Sequence, residues 1–364
     1  MEVAEEVKIY VFPADLGGCG YYRLIWPAEV LRAAGHRVNI VHPQDRDRAL
    51  QARVNGDAVT SVRLPADADV VVFQRVTHRY LAQAISVIRA QNIAVVIDMD
   101  DDLTCIHPAN PAFHMLHPTG PNPAHAWHYT QVACDNATLV TVSTPALADR
   151  YGRRAPARVL YNMVPARYLD VLHEDSDLVG WAGSVHSHPT DLQVVGPAVA
   201  QLLQAGHRFK VIGPPTGIHQ ALGVPIARKI ESTGVIGIET WPLALSGLGI
   251  GIAPLADSRF NAAKSWLKPL EYAAAGVPCL ASPRAEYARL AKLGVGWLAR
   301  DHKDWRRKLK TLTEDQSLRT ELSERGRAVA RRHTIEENAW RWLEVWSEAL
   351  ELQRSGALAS SSTP

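Results

Sequence analysis

Lys264 and Lys268 stand four residues apart, and Glu271 follows three residues after Lys268, in the run DSRFNAAKSWLKPLEYAAAGVPCLAS at 257–282. On a helix, side chains at these spacings share one stripe. The run is expected to open a helix carrying Lys264, Ser265 and Lys268, whose unpaired N–H groups and partial positive charge attract an anion. Two ammonium groups on that face would satisfy a diphosphate, and the carboxylate of Glu271 would accept both hydroxyls of a ribose. The segment therefore reads as a holder for a nucleoside diphosphate. The plain alternative is an amphipathic helix whose lysines are only solvated.

Three other stretches could carry chemistry. Asp15-Leu16-Gly17-Gly18-Cys19-Gly20 follows an apolar strand and leads into Arg23. Glycines at a strand-to-helix turn let backbone N–H groups approach a phosphate, and Arg23 could reach an anion. The spacing is not that of a dinucleotide fingerprint, and a plain chain reversal uses the same residues. The run Val179–Leu192 contains Gly183, Ser184, His186, His188 and Asp191. Gly183 and Ser184, with His186 or His188, could donate hydrogen bonds to phosphate or sugar, or Ser184 and Asp191 could only cap the next helix. Finally, Asp98, Asp100, Asp101 and Asp102 cluster after another strand. So many carboxylates require a raised pKa or a cationic partner. They could orient or deprotonate an acceptor hydroxyl, with Asp100 and Asp101 as catalytic candidates, or form a solvated turn. His107 opens a Pro-rich loop with four further histidines up to His128 and is grouped with Arg23, Asp98 and Asp102 as an acceptor contact. Neither spacing nor ligand set matches a closed metal site, so no metal is assigned.

Alternating strands and helical patterns position these residues, which argues for parallel sheets with crossover helices. Strands are expected at 7–12, 37–41, 70–74, 94–97, 138–143 and 159–161, then at 178–181, 209–212, 235–238, 250–253 and 278–281. The organisation expected is an N-terminal domain at 1–168, a second domain at 169–334, a last helix at 335–353 carrying Trp340, Trp342 and Trp346, and a disordered tail at 354–364.

Bulk properties narrow the class. At 364 residues with 47% apolar and 21% charged residues, the chain suits two ordinary globular domains. A net charge of +2 neither demands nor excludes a nucleic-acid partner. The four cysteines are scattered, which argues against a disulfide framework or structural zinc. An acidic N-terminus and the lack of any long apolar stretch predict a cytoplasmic protein without stable membrane insertion.

The pattern K-S-x2-K-x-L-E-Y-x-A-x-G-V-P-x-x-A-S resembles the donor-binding segment of family 4 glycosyltransferases, which have two Rossmann-like domains facing a cleft (the GT-B architecture). The Gly-Gly loop with Tyr22-Arg23, the aspartate turn, T-V-S-T-P-x-L-A at 141–148 and Tyr161-Asn162 extend the likeness along most of the chain. The resemblance implies an α/β fold of two such domains, with the C-terminal helix crossing back to the N-terminal one. It implies a hexosyl- or pentosyltransferase moving sugar from a UDP- or GDP-sugar to an acceptor hydroxyl, with retention and without a metal or other cofactor. Gly17, Gly18, Gly183, Ser184, His186, Asn261, Lys264, Ser265, Lys268 and Glu271 would bind the donor, and Lys268 would also act in catalysis. The acceptor is left as a glycan, lipid, small molecule or hydroxymethylated base in phage-type DNA, and the oligomeric state is not specified. In one respect the chain departs: Ala263 stands where family 4 enzymes carry a second glutamate, leaving Asn261 or Lys264 to meet the sugar. A GT-B epimerase or hydrolase, or a non-catalytic nucleotide-sugar-binding protein, would fit the same pattern.

Overall fold

The computed structural model describes residues 7–122 and 125–361, with side chains through Gly356. The chain forms two compact units, one from Met1–Ile106, His114–Asn162 and Ile335–Pro364, the other from His107–Phe113 and Met163–Thr334. The division falls slightly before the expected boundary at 169, and a short segment beginning at His107 groups with the second unit.

Among the described residues, the first unit contains eight strands: β1 (Ile9–Phe12), β2 (Val38–Ile40), β3 (Gln51–Asn55), β4 (Ala58–Arg63), β5 (Val70–Gln74), β6 (Ala94–Met99), β7 (Leu139–Val142) and β8 (Ala157–Val159). Six of them form a parallel sheet in the order β2-β1-β5-β6-β7-β8. Strands β5, β6 and β7 are buried along their whole length. Continuous β-branched runs such as Val70-Val71-Val72 belong in such strands, because helices cover both faces of a parallel sheet. The hairpin of β3 and β4 was not among the expected strands: its residues are mostly exposed, and Asn55-Gly56 at its turn is the local signal that marks it.

Strand order reverses between β1 and β5, so their carboxyl ends open a crevice there. The helix after β1 starts at Gly18 and widens into a π turn over Tyr21–Ile25 before continuing as Trp26–Ala33. Tyr22, Arg23, Leu24 and Ile25 are all buried, four in succession, which an ordinary amphipathic helix does not achieve. Arg23 is thereby driven into the core. Its Nε donates to Asp98 Oδ2 at 3.1 Å and its Nη2 to Asp98 Oδ1 at 2.7 Å. The remaining nitrogen reaches the carbonyl of Leu160 and, at 3.0 Å, Asn162 Oδ1. Thr141 Oγ1 adds a hydrogen bond to Asp98 Oδ1 at 2.7 Å. Both charged side chains are 0% exposed, and the acceptor-binding role expected for Arg23 and Asp98 gives way to a structural one.

The C-terminal segment returns to this unit as Ile335–Asn338 and Trp340–Ser361, packing on β5, β6 and the helix Trp26–Ala33. Trp342 and Trp346 are fully buried, whereas Trp340 is half exposed. Trp342 Nε1 donates to the backbone carbonyl of Arg23 at 2.9 Å. The helix runs through residues 354–361, where a disordered tail was expected; residues 362–364 lie outside the described residues. No helix among the described residues is long and apolar enough to cross a membrane.

The second unit adds β9 (Val179–Ala182), β10 (Phe209–Ile212), β11 (Glu231–Ser232), β12 (Ile250–Ala253), β13 (Cys279–Ala281) and β14 (Trp297–Leu298), all parallel, in the order β11-β10-β9-β12-β13-β14. Its order reverses between β9 and β12. The core gathers Trp181, Val199, Phe209, Ile252 and Trp305. The strand expected at 235–238 is a loop with Val235 86% exposed. Glycines at 234 and 237 break the apolar run, Gly234 turning with φ +69. β11 forms just upstream instead.

Removing one partner of a buried ion pair strands the other charge. Asp98→Leu is expected to lower stability to urea by about 3–5 kcal/mol, and the double change Arg23→Met with Asp98→Leu to recover most of it. A single variant within about 1 kcal/mol of the wild type would show that the buried pair contributes little to stability.

Candidate functional site

In the second unit the crevice at the β9/β12 reversal collects most residues expected to bind a donor. β9 ends at Ala182 and passes into Gly183, whose φ of +155 suits glycine. A Cβ there would lie 2.9 Å from the Trp181 ring and 3.3 Å from Lys268 Nζ. The absent side chain therefore makes room for the lysine. Gly213, after β10, backs directly onto Gly183, since its own Cβ would meet the Gly183 carbonyl at 2.1 Å.

Lys268 is the second residue of the helix Leu267–Ala274, whose N-cap residue, Trp266, makes no side-chain capping hydrogen bond. Its Nζ sits 4.9 Å from the Trp181 ring centre, a cation–π distance. Tyr272 fixes this helix against the sheet: its hydroxyl accepts from the Ala182 amide at 2.8 Å and donates to the Ile252 carbonyl at 3.3 Å. Gly251 leaves space for the Tyr272 ring, which a Cβ would approach to 2.7 Å. Burial pushes the Lys268 ammonium down to about 8, the carboxylates of Asp191 and Glu271 opposing and Lys264 reinforcing the shift. Glu271, one turn further along, is buried at 7% exposure, and its Oε1 accepts from Trp241 Nε1 at 3.1 Å.

Lys264 and Ser265 are placed differently from expectation. Ser258 caps a separate short helix, Arg259–Ala262, by accepting from the Asn261 amide at 3.1 Å. That helix stops at Ala263, and Lys264 and Ser265 lie in the link before Leu267. The two lysines therefore do not share one helical stripe. Lys264 Nζ packs 4.4 Å from the Phe260 ring centre while its charge still reaches Lys268.

Asp191 ties the two sides of the crevice together. Its Oδ1 accepts from Asn261 Nδ2 at 2.6 Å and from the Ala256 amide at 2.9 Å, while its Oδ2 meets His188 Nδ1 at 3.0 Å. Asn261 is thus held by Asp191 and the Ala256 carbonyl. The histidine in this network is His188; His186 is exposed. Ser184 is half-buried and its carbonyl accepts from the His188 amide at 3.0 Å. Trp241, Tyr272 and Asp191 escaped the sequence reading as site-forming groups. Only the E-Y pair of the donor segment hinted at Tyr272.

In the first unit, the glycine loop and the aspartate turn meet at the ends of β1, β5 and β6. Asp15 Oδ1 accepts from the amides of Gly17 at 2.8 Å and Gly20 at 3.2 Å. An internal carboxylate therefore occupies amides that were expected to face a phosphate. Gly20 must be glycine, as a Cβ would approach the Asp15 carbonyl to 2.0 Å. Gly17 and Gly18 are exposed. Gln74, at the end of β5, accepts from the Ala14 amide and donates to the Cys19 carbonyl, fixing the loop at both ends.

Each aspartate of the turn has an arginine. Asp98 has Arg23. Asp100 takes a bidentate pair from Arg75, Nε to Oδ1 at 2.5 Å and Nη2 to Oδ2 at 2.8 Å. Asp101 Oδ2 lies 3.5 Å from Arg75 Nη2, and Asp102 Oδ1 lies 3.7 Å from Arg150 Nε. Burial raises the Asp100 pKa, but the charge and hydrogen bonds of Arg75 outweigh it and hold the carboxyl below its ordinary value. A carboxylate so held is a weak proton acceptor, so the geometry gives Asp100 a positioning role in place of the expected catalytic one. Arg75, at φ +50, also donates to Cys19 Sγ at 2.9 Å and so links turn to loop. No motif had marked it. Asp102 caps the 3-10 turn Leu103–Cys105 by accepting from Thr104. His107 belongs to the other unit, where its Nδ1 accepts from the Ala109 amide at 3.1 Å. Among the described residues, no group of three or more His, Cys, Asp or Glu side chains is arranged to hold a metal ion.

Comparison with known proteins places this architecture. Residues 193–344 match the family model described as Glycosyl transferase-like. No curated protein matches the sequence. Among solved structures, the chain is similar to sucrose-phosphate synthase from Thermosynechococcus elongatus, with TM-score 0.62 and 14% identity over 94% of this chain and 98% of that one. It is similar to HepE of Anabaena in complex with UDP, with TM-score 0.61 and 14% identity over 94% and 100%. A glycosyltransferase from Rickettsia africae ESF-5 gives TM-score 0.64 and 12% identity over 95% and 99%. The chain has two parallel-sheet units and the fold of the GT-B glycosyltransferases.

Proposed function

We propose that the protein is a glycosyltransferase that moves a hexosyl or pentosyl group from a UDP- or GDP-sugar to an acceptor hydroxyl. The observation that carries this reading is the half-buried Lys268 ammonium, held over Trp181 against Gly183 in the first turn of a helix. A partly desolvated cation of this kind gains from a diphosphate, because attraction grows as water is excluded. Lys264 adds charge from the preceding link. Glu271, oriented by Trp241, takes the ribose hydroxyls. Catalysis is mainly electrostatic: the Lys268 ammonium and the helix N-terminus stabilise the departing diphosphate, so the site's own charges stand in for a metal.

Retention of configuration rests on the resemblance of residues 257–282. Ala263 is buried and presents no carboxylate, and Asn261 is held by Asp191, which leaves Lys264 as the residue of that segment for the transferred sugar. The acceptor is proposed as a hydroxyl-bearing glycan, lipid, small molecule or hydroxymethylated DNA base, and the reaction as cytoplasmic. UDP-sugars are the first donors to test, given HepE's complex with UDP.

In a thermal-shift screen, a matching nucleotide sugar is expected to raise the unfolding temperature, since a ligand of the folded state stabilises by mass action. Release of nucleoside diphosphate without acceptor would turn the reading to an epimerase or hydrolase. Binding without turnover would turn it to a nucleotide-sugar-binding protein.

Lys268→Ala is expected to lower kcat by at least about 10²-fold at saturating donor. An unchanged kcat would remove Lys268 from the mechanism. Affinity for UDP is expected to fall as pH rises through about 8, where the free ammonium loses its proton before it can meet the anion. Lys268→Arg, which stays charged, is expected to flatten that arm in a calorimetric pH series.

A further inference from the structure

His188 stands in the donor crevice with one ring nitrogen tied down. Nδ1 meets Asp191 Oδ2 at 3.0 Å, and Asp191 is itself fixed by Asn261 Nδ2 and the Ala256 amide through Oδ1. The imidazole is therefore held from the β12 side although it follows β9. Its backbone amide is held as well, donating to the Ser184 carbonyl at 3.0 Å. With Nδ1 on Asp191, Nε2 lies on the opposite side of the ring, and about a fifth of the side chain remains exposed. The charged groups acting on the ring are Asp191 from its own loop, Lys268 from the helix Leu267–Ala274 and Lys264 from the link before it. An imidazole anchored this way beside two cations has one function that a fixed cation lacks. It stays uncharged while the crevice is empty and becomes a third cation when an anion arrives.

We propose that His188 turns Nε2 to the donor diphosphate and takes up a solvent proton as the nucleotide binds, with Asp191 and Asn261 as its positioning residues. This rests on the nucleotide-sugar reading above and assigns a residue and a linkage that the reading does not contain. The balance is simple: neutral imidazole plus a proton from water gives imidazolium when the diphosphate binds, and the proton returns to water when the nucleotide leaves. Burial, then Lys268 and Lys264, depress the empty-site histidine below its ordinary value against the opposing pull of Asp191, so it is neutral at pH 7. A diphosphate would reverse the sign of that local field. The linkage makes nucleotide hold best on the acid side of neutrality, and it separates from that of Lys268, which is already largely protonated at pH 7 because it titrates about 8.

The test is isothermal titration of the full-length protein with UDP and with GDP at pH 7, in buffers of differing ionisation enthalpy. Wild-type protein is expected to take up roughly one proton per nucleotide bound, as a histidine passing from neutral to charged requires. His188→Gln offers a neutral donor near the Nε2 position, so it is expected to bind with little proton uptake and a flat profile below pH 7.5. His188→Asn keeps a donor for Asp191 but loses the reach of Nε2, and its Kd is expected to rise about tenfold, equivalent to roughly 1.4 kcal/mol. A thermal midpoint close to wild type in both variants shows that Asp191 and Asn261 remain in place. Wild-type binding without proton uptake overturns the proposal, as does unchanged uptake in either variant. Failure of UDP and GDP to bind at all brings down the nucleotide-sugar reading, and this proposal with it.

Discussion

Taking a lysine ammonium partly out of water is costly, and several groups of the second unit offset that cost. Trp181 offers an aromatic face, Gly183 withholds a side chain, and Asp191 and Glu271 oppose the desolvation from nearby. Tyr272 matters because its hydroxyl bridges the ends of β9 and β12 while its backbone belongs to the helix bearing Lys268. The lysine is therefore placed by the sheet rather than by its own flexible stem. Preorganised charge of this sort is what electrostatic catalysis requires, because the reorganisation is completed during folding.

The first unit solves a related problem with the opposite outcome. Arg23 and Asp98 pair in the core, with Thr141, Asn162 and the Leu160 carbonyl adding hydrogen bonds to them. Arg75 and Asp100 repeat the pairing nearer the strand ends, where Cys19 joins the glycine loop to the turn. Charges paired so completely fix geometry and leave little for a ligand. The two switch points are thus alike in topology and different in chemistry: one carries arginine–carboxylate pairs, the other a half-buried lysine ammonium beside an aromatic ring.

Several features were legible without coordinates. The β-branched runs at 70–74 and 94–97 mark buried parallel strands because both faces are covered. That Lys268 and Glu271 lie on one side of one helix was legible from their spacing, since residues three apart on a helix are neighbours. The run at 235–238 misled because one glycine precedes it and another interrupts it, and burial, not composition, makes a strand. Lys264 misled because the capping hydroxyl of Ser258 starts a separate short helix that ends before the lysine.

By itself, the sequence determined the alternation of strands and helices, the strand-end positions of the glycine loop and the aspartate turn, and the cationic segment at 264–271. Periodicity and side-chain type suffice for these because they are local properties. Tertiary structure alone decided that Arg23 and Asp98 would be core, that each aspartate of the turn would have an arginine, and that His188 rather than His186 would join Asp191. Those outcomes depend on pairings between residues as far apart as Asp191 and Asn261, or Arg23 and Asp98. The free energy of a charge depends on what surrounds it, and no sequence interval specifies that environment.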